Sequence, residues 1–197
     1  MVDGDGVRLE VGKVQELEHT SLDQPRLRIN VVGWVGKMRV TTHLDFSIGG
    51  KPPIGLRELL PTPIIAGQSV VRIRAQPWVY SAADKLHSIV IRGCDNTRLK
   101  DYRDLLTLVR KGYGSNAGMR EAVETTFAQR GTELPTATRE GLTVIYSALR
   151  QSDWERYLDK NAIKNLPRSL AAVVAKIEAA FGESVWAEAA HGYRVRA

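Results

Sequence analysis

The chain has 197 residues, of which 43% are apolar and 25% charged, and its formal net charge is +6. This length suffices for one α/β core with a helical annex. No apolar run approaches the roughly 20 residues that span a bilayer, no secretory signal is visible, and the single Cys94 excludes an internal disulfide. We therefore expect a cytoplasmic protein.

The charge balance bears on possible partners. A pI near 9.6 favours an anionic partner, with nucleic acid the leading candidate. The alternative is that the basic surface only promotes solubility.

The first quarter of the chain predicts β structure. Residues 26–32 alternate polar and apolar side chains, residues 33–37 form a turn, and residues 38–46 alternate again. An antiparallel hairpin is the simplest interpretation. Residues 49–68 are rich in Gly and Pro and predict a long surface connection, followed by a third strand over 69–75 that Pro77 ends.

The period becomes helical from Tyr80 onward. Ser81 is a plausible N-cap for a first helix that Gly93 closes, and a second helix begins near Lys100 and ends before Gly112. Further amphipathic helices are predicted over residues 116–129, 138–149, 153–161 and 169–181. The pattern indicates a β-rich front followed by a helical bundle.

Two isolated charged positions, Asp45 and Lys85, are candidates for chemistry. Asp45 lies among apolar and β-branched strand residues, so its carboxylate is expected at a site mouth, in an ion pair or on a metal. Ion pairing or solvation is the favoured interpretation of Asp45 alone. Lys85 lies within the first helix, where a lone lysine is usually a solvated group.

The densest polar cluster spans residues 95–104, at the start of the second helix. Free N–H groups at a helix start, flanked by Arg98 and Lys100, can bind phosphate oxygens. Asp101 could act as a base or as a magnesium ligand. Alternatively, Asp101 and Asp104 only offset the helix dipole, and the two basic side chains are solvated.

Three stretches, taken in order, resemble the AbiEii/AbiGii family of nucleotidyltransferase toxins over roughly residues 3–182. They are Thr-His-Leu-Asp-Phe-Ser-Ile-Gly at 42–49, Tyr-Ser-Ala-Ala-Asp-Lys-Leu-His-Ser at 80–88, and Asn-Thr-Arg-Leu-Lys-Asp-Tyr-Arg-Asp-Leu at 96–105. The middle motif usually reads Ala-Glu-Lys, so Asp84 is a conservative departure. The last motif is the most specific, and the order and spacing of all three strengthen the resemblance.

The resemblance implies an α+β fold, in which a partial polymerase-β-like nucleotidyltransferase sheet precedes a helical C-terminal domain. We expect residues 1–78 to form the β-rich, N-terminally incomplete part of the core. Residues 79–197 are expected to form the helical domain with the Lys and Lys-Asp motifs.

The resemblance also implies an activity and its site. Family members are toxins with a cognate antitoxin, and the chain is similar to mycobacterial toxins that transfer nucleotides to the 3′ end of tRNA. By position, Asp45 matches a strand aspartate beside the metal site, and Lys85 a lysine that contacts nucleotide phosphates. Asp101 matches the essential acidic residue. Mg²⁺ and a nucleoside triphosphate (NTP) are the expected cofactor and substrate, with Arg98 and Lys100 as further phosphate-binding residues.

The sequence departs from the family pattern before Asp45. It has no Gly-Ser turn followed by an Asp-x-Asp pair, so two of three expected metal carboxylates are missing. A misplaced start codon, a fragment or a degenerate relative would each produce this departure, and we expect the chain as written to be a poor catalyst. The alternative functions are a catalytically inactive module that binds antitoxin or RNA, and a helical interaction protein without a nucleotide site.

Overall fold

The computed structural model describes residues 6–17, 26–48, 55–62, 69–70, 72–113, 118–135 and 139–186. This part of the chain has a mixed α+β architecture, as predicted. Its strands are β1 (Val7–Leu17), β2 (Arg26–Val35), β3 (Met38–Ser47), β4 (Arg57–Leu59) and β5 (Ile73–Ala75). Its α-helices are α1 (Trp78–Arg92), α2 (Leu99–Arg110), α3 (Gly118–Gln129), α4 (Val144–Lys160) and α5 (Leu170–Trp186).

The first three strands form an antiparallel sheet in the order β1-β2-β3. The predicted hairpin is confirmed, but its turn is shorter, because β2 continues to Val35 and pairs there with Met38. Gly36 has a φ of +57°, which a two-residue hairpin turn favours and glycine adopts without strain. Sequence reasoning did not assign β1, although Val7, Leu9 and Val11 alternate with polar residues.

The second pair of strands lies close to the helices in sequence. β4 pairs antiparallel with β5, with Arg57 opposite Ala75. The prediction of a plain connection over 49–68 is therefore wrong at 57–59, since local pairing there satisfies the backbone despite the flanking prolines. Residues 49–54 and 63–68 lie outside the described part, and so does residue 71 of the predicted strand 69–75.

The chain divides into two compact units, Met1–Pro52 and Pro53–Ala197. The second unit thus contains the β4–β5 pair together with all five α-helices. The boundary predicted at 78/79 coincides with the start of α1. The domain roles assigned on either side of that boundary stay predictions.

The helices of the second unit enclose its hydrophobic core. Its largest fully buried side chains are Trp154, Tyr102, Tyr146, Phe127, Phe181, Leu86, Ile89, Leu105, Leu106, Met119, Leu158 and Leu170. No helix in the described ranges is long and apolar enough to cross a membrane.

Three predicted helix limits need correction. The helices predicted over 138–149 and 153–161 are one helix, α4, because an exposed Ser152 costs little propensity and does not interrupt the hydrogen bonds. α1 begins at Trp78, directly after Pro77, rather than after Ser81. Proline is tolerated at a helix start because the backbone N–H groups there have no partner within the helix, so the N–H that proline lacks is not needed. α5 extends past residue 181 to Trp186.

Candidate active site

Helices α1 and α2 bring the predicted lysine and aspartates together. Leu86 on α1 and Tyr102 on α2 are fully buried and anchor both helices in the core. Lys85 precedes Leu86, and Asp101 precedes Tyr102, so core packing also fixes both polar residues. Asp104 follows one helical turn after Asp101 on the same side of α2.

Lys85 lies between the two carboxylates. Its Nζ is 3.1 Å from Oδ2 of Asp104 and 3.7 Å from Oδ1 of Asp101. Each carboxylate also has its own arginine. Arg98 Nε donates to Asp101 Oδ2 at 2.9 Å, and the guanidinium of Arg103 donates to Asp104 Oδ1 from Nη2 at 2.7 Å and from Nε at 3.0 Å. The five side chains form the charged cluster.

The two carboxylates differ in exposure. Asp101 is 2% exposed, whereas the side chain of Asp104 is 22% exposed. Partial burial opposes ionisation of Asp104, but hydrogen bonds from Arg103 and Lys85 outweigh it and lower its pKa. Asp104 is therefore ionised at neutral pH.

A buried asparagine shapes the chain just before α2. The Oδ1 atom of Asn96 accepts the backbone N–H of Arg98 at 2.9 Å, and its backbone carbonyl accepts the Tyr146 hydroxyl at 3.0 Å. The hydroxyl of Tyr102 donates to the carbonyl of Gly141 at 2.7 Å. These bonds hold the start of α2 against α4 and set the position of the charged cluster.

A cleft of about 1130 Å³ adjoins the cluster. Lys85, Arg103 and Asp104 line it, whereas Asp101 lies behind them. Its other lining residues come from β4, β5, the start of α1, and α2 and α3: Gly55, Arg57, Leu59, Ala75, Gln76, Pro77, Trp78, Val79, Tyr80, Ser81, Thr107, Leu108, Gly118 and Glu121. Trp78 and Tyr80, in the first turn of α1, form the aromatic end of this cleft.

The two other basic candidates are more exposed. Arg98 has 52% of its side chain exposed while it holds Asp101, and Lys100 is exposed on α2. Lys100 precedes Arg103 by one helical turn, so it extends the same side of the helix toward its start.

Asp45 lies in the first compact unit, on β3. It is opposite Arg28 in the strand register, and Arg28 donates to both of its carboxylate oxygens at 2.7 Å. This hydrogen bonding lowers the pKa of Asp45. The structure thus shows the ion pair that the residue pattern alone favoured, and the metal-ligand role of Asp45 stays a prediction.

The described ranges of the chain hold no cluster of metal-binding side chains. Within these ranges no group of three or more His, Cys, Asp or Glu side chains converges as a metal site would require. Asp101 and Asp104 converge on Lys85 instead.

The middle motif's acidic position has a structural partner. Asp84 accepts a hydrogen bond from Arg130 Nη2 at 2.7 Å and one from the side-chain amide of Gln76 at 3.5 Å. These contacts tie α1 to the end of α3. Sequence reasoning missed this role, because Arg130 is 46 residues away, and it also missed the placement of Trp78 in the cleft.

Fold and site together define a mixed α+β protein whose helical unit presents a lysine, held between two aspartates, at the mouth of a cleft. The sequence matches the family described as nucleotidyl transferase AbiEii toxin, type IV toxin–antitoxin (TA) system, over residues 2–185. The chain therefore belongs to the AbiEii family of nucleotidyltransferase toxins. No curated protein was found to match it.

Family membership confirms the resemblance inferred from the three motifs. It makes the chain a nucleotidyltransferase-family enzyme and a toxin of a toxin–antitoxin system, and it implies an antitoxin partner. Nucleotidyltransferases of this kind typically use a metal ion and an NTP.

Proposed function

We propose that the protein transfers a nucleotide from an NTP to the 3′ end of tRNA and thereby blocks translation. The observation that carries the proposal is Lys85, held between two carboxylates at the edge of a large cleft. A net charge of +6 adds support, because an RNA acceptor presents a line of phosphates.

Lys85 is the proposed phosphate-binding residue of the cleft. Its ammonium group is positioned from two sides, so it needs little reorganisation when a triphosphate arrives. Arg98 and Lys100, both exposed near the start of α2, are proposed to bind further phosphates of the nucleotide or the RNA. Arg103, like Lys85, lines the cleft and adds a guanidinium group there.

The two aspartates have different proposed roles. Asp101 is buried behind Lys85, so we assign it the positioning of Lys85 and Arg98 rather than contact with substrate. Asp104 lines the cleft and is ionised, so it is the carboxylate that a substrate hydroxyl can reach. The essential role predicted for Asp101 is retained, but it is exerted through the lysine.

The proposed reaction is an in-line displacement at the α-phosphate. The 3′-hydroxyl oxygen of the acceptor forms the new P–O bond, the bond to the β-phosphate oxygen breaks, and pyrophosphate leaves. The hydroxyl proton passes to Asp104 or to solvent. Lys85 stabilises the negative charge on the phosphates as the bond breaks. Mg²⁺ stays the expected cofactor, and the metal-ligand role of Asp45 stays a prediction.

Label transfer tests the proposal. The protein is incubated with total tRNA, Mg²⁺ and each α-³²P-labelled NTP in turn, and tRNA is resolved on a denaturing gel. We expect label on tRNA with at least one NTP, and none with Lys85→Ala or Asp101→Ala. The same assay is run with the longest in-frame product of the gene, which would include any upstream motif. The proposal is refuted if neither this product nor the present chain transfers label to tRNA.

A second function is favoured by the completeness of the ion pairing. Both carboxylates of the cluster are already paired with cations, and the described residues contain no three-ligand metal site. A catalytically inactive module that binds RNA or antitoxin is consistent with this arrangement. Tight tRNA binding in a filter assay, together with no label transfer under any condition, would favour this second function.

A further inference from the structure

The cleft has an aromatic end whose function the charged cluster does not explain. Trp78 and Tyr80, in the first turn of α1, line the same cleft as Lys85 and Asp104. Both rings are partly buried, so they remain accessible in part from the cleft. Aromatic rings that line a charged cleft are the groups on which nucleic-acid bases stack.

The indole of Trp78 is held in a defined plane. Tyr113 stacks on it with ring centroids 4.5 Å apart and an interplanar angle of 27°. Tyr113 is not among the described residues that line the cleft, whereas Trp78 is. Tyr113 therefore covers one face of the indole, and the side available to a ligand is the one toward the cleft.

The phenol ring of Tyr80 is also fixed. Gly55 has a φ of +65°, and a Cβ atom built on it would lie only 2.8 Å from Cε2 of Tyr80. The glycine backbone thus packs directly against the ring, which no residue with a side chain could do at this position. Packing contacts thus position both rings of the aromatic end.

The spacing along α1 relates the aromatic end to the lysine. Trp78 and Lys85 are seven residues apart, which is close to two helical turns, so both project from the same side of α1. Their Cα atoms are separated by about 10 Å along the helix axis. This separation suits an extended NTP, with its base at one residue and its distal phosphates at the other. Ser81 lines the cleft between them.

We infer that the Trp78 indole, supported by Tyr113 and flanked by Tyr80, is the nucleobase-binding surface of the cleft. The base stacks on the indole while the triphosphate extends along α1 to Lys85 and Arg103. This inference rests on the proposed function, since it assigns the base of the same NTP. Stacking alone accepts every base, so the surface recognises nucleotides as a class.

The binding experiment separates the base from the phosphates. Isothermal titration of the full chain with ATP, GTP, CTP and UTP is compared with titration of inorganic tripolyphosphate and of ribose 5-triphosphate, which has no base. We expect Trp78→Ala to weaken binding of every NTP that the wild type binds by about tenfold to a hundredfold, the scale of one base–aromatic stack. Binding of tripolyphosphate and ribose 5-triphosphate is expected to stay unchanged.

Controls guard against an effect on folding. Trp78→Phe keeps an aromatic ring and should retain much of the affinity, and Trp34→Phe replaces a tryptophan on β2 and should retain all of it.

A second measurement requires no substitution at Trp78. In Trp34→Phe, quenching of the remaining tryptophan fluorescence should accompany NTP binding but not tripolyphosphate binding, because Trp154 is fully buried and Trp186 nearly so.

The outcomes distinguish the two proposals. If the wild type binds NTPs no more tightly than ribose 5-triphosphate, or if Trp78→Ala keeps the preference for a base, the base-binding inference is wrong. In that case, a Lys85→Ala variant that binds neither NTPs nor ribose 5-triphosphate would still support the phosphate site of the proposed function. If neither the wild-type chain nor the longest in-frame product of its gene binds an NTP or tripolyphosphate, both proposals fail.

Discussion

Replacement of Lys85 by methionine should abolish toxicity while it leaves the fold intact. The substitution removes the ammonium group from between Asp101 and Asp104, yet Asp101 keeps Arg98 at 2.9 Å and Asp104 keeps Arg103 at 2.7 Å. Breaking a buried ion pair costs about 3–5 kcal/mol when the remaining charge has no other partner. An exposed pair contributes at most about 1 kcal/mol.

The cost of removing the ammonium group of Lys85 lies between these limits. A quarter of the lysine side chain is exposed, and Asp101 and Asp104 each keep another partner. We expect the free energy of unfolding to fall by about 1–2 kcal/mol. Urea unfolding followed by far-UV circular dichroism measures this change, and growth of cells that express the variant measures toxicity. Lys176→Met, at an exposed position of α5, is the matched control and should change neither quantity.

Two results would refute this reasoning. A toxic Lys85→Met variant would remove the ammonium group from the mechanism. A loss of stability above about 3 kcal/mol would show that Lys85 acts mainly as the counter-ion of a buried carboxylate, since that is the cost of an uncompensated charge.

Three further predictions concern other parts of the molecule. Burial, together with the nearby positive charge of Arg130, lowers the pKa of His87 from 6.5 to about 4, so between these pH values the unfolded chain binds the proton and the folded chain does not. The stability that neutral His87 contributes should therefore be nearly complete above pH 6.5 and fall by about 3 kcal/mol as the pH drops to 4. Urea midpoints across this range should lose that slope in His87→Phe and keep it in His43→Gln, and a slope retained in His87→Phe would contradict the assignment. Gly141→Ala should destabilise by about 1–3 kcal/mol in thermal melts, because its Cβ would lie 2.6 Å from the carbonyl oxygen of Ile89, and an unchanged melting temperature would disprove that contact. Asp45→Asn should remain folded and lose toxicity if Asp45 binds the metal, whereas a fully toxic variant would leave Asp45 only its ion pair.

Much of the fold could be predicted from local patterns. The alternation in residues 26–46 predicts the hairpin, and Gly93 marks the end of α1, because these signals depend on neighbouring residues alone. β4 has only three residues and lies among prolines, so its pairing with β5 depends on contacts that no short window contains. The sequence predicts separate helices on either side of Ser152, but Ser152 lies on the exposed side of one continuous helix.

The candidate site was predictable in its residues but not in its pairings. The motifs identified Lys85, Arg98 and Asp101, and the structure brings these three together. Spacing alone could not show that Asp104 is the carboxylate that lines the cleft, since that depends on the rotation of α2 against α1. Asp45 was predicted beside a metal, and only the strand register reveals its direct partner, Arg28.

In the 12-residue helix α2, residues of the hydrophobic core and residues of the charged cluster are close neighbours in the sequence. Tyr102, Leu105 and Leu106 fill the core, while Asp101, Arg103 and Asp104 form the charged cluster. Cells that escape a toxin carry variants in which the toxin is inactive, and substitutions at these six positions alter either packing or charge. A collection of spontaneous escape variants should therefore be dense at codons 101–106, with loss of protein at 102, 105 and 106 and loss of activity at 101, 103 and 104. Such a pattern would map the two surfaces of α2 by genetics alone.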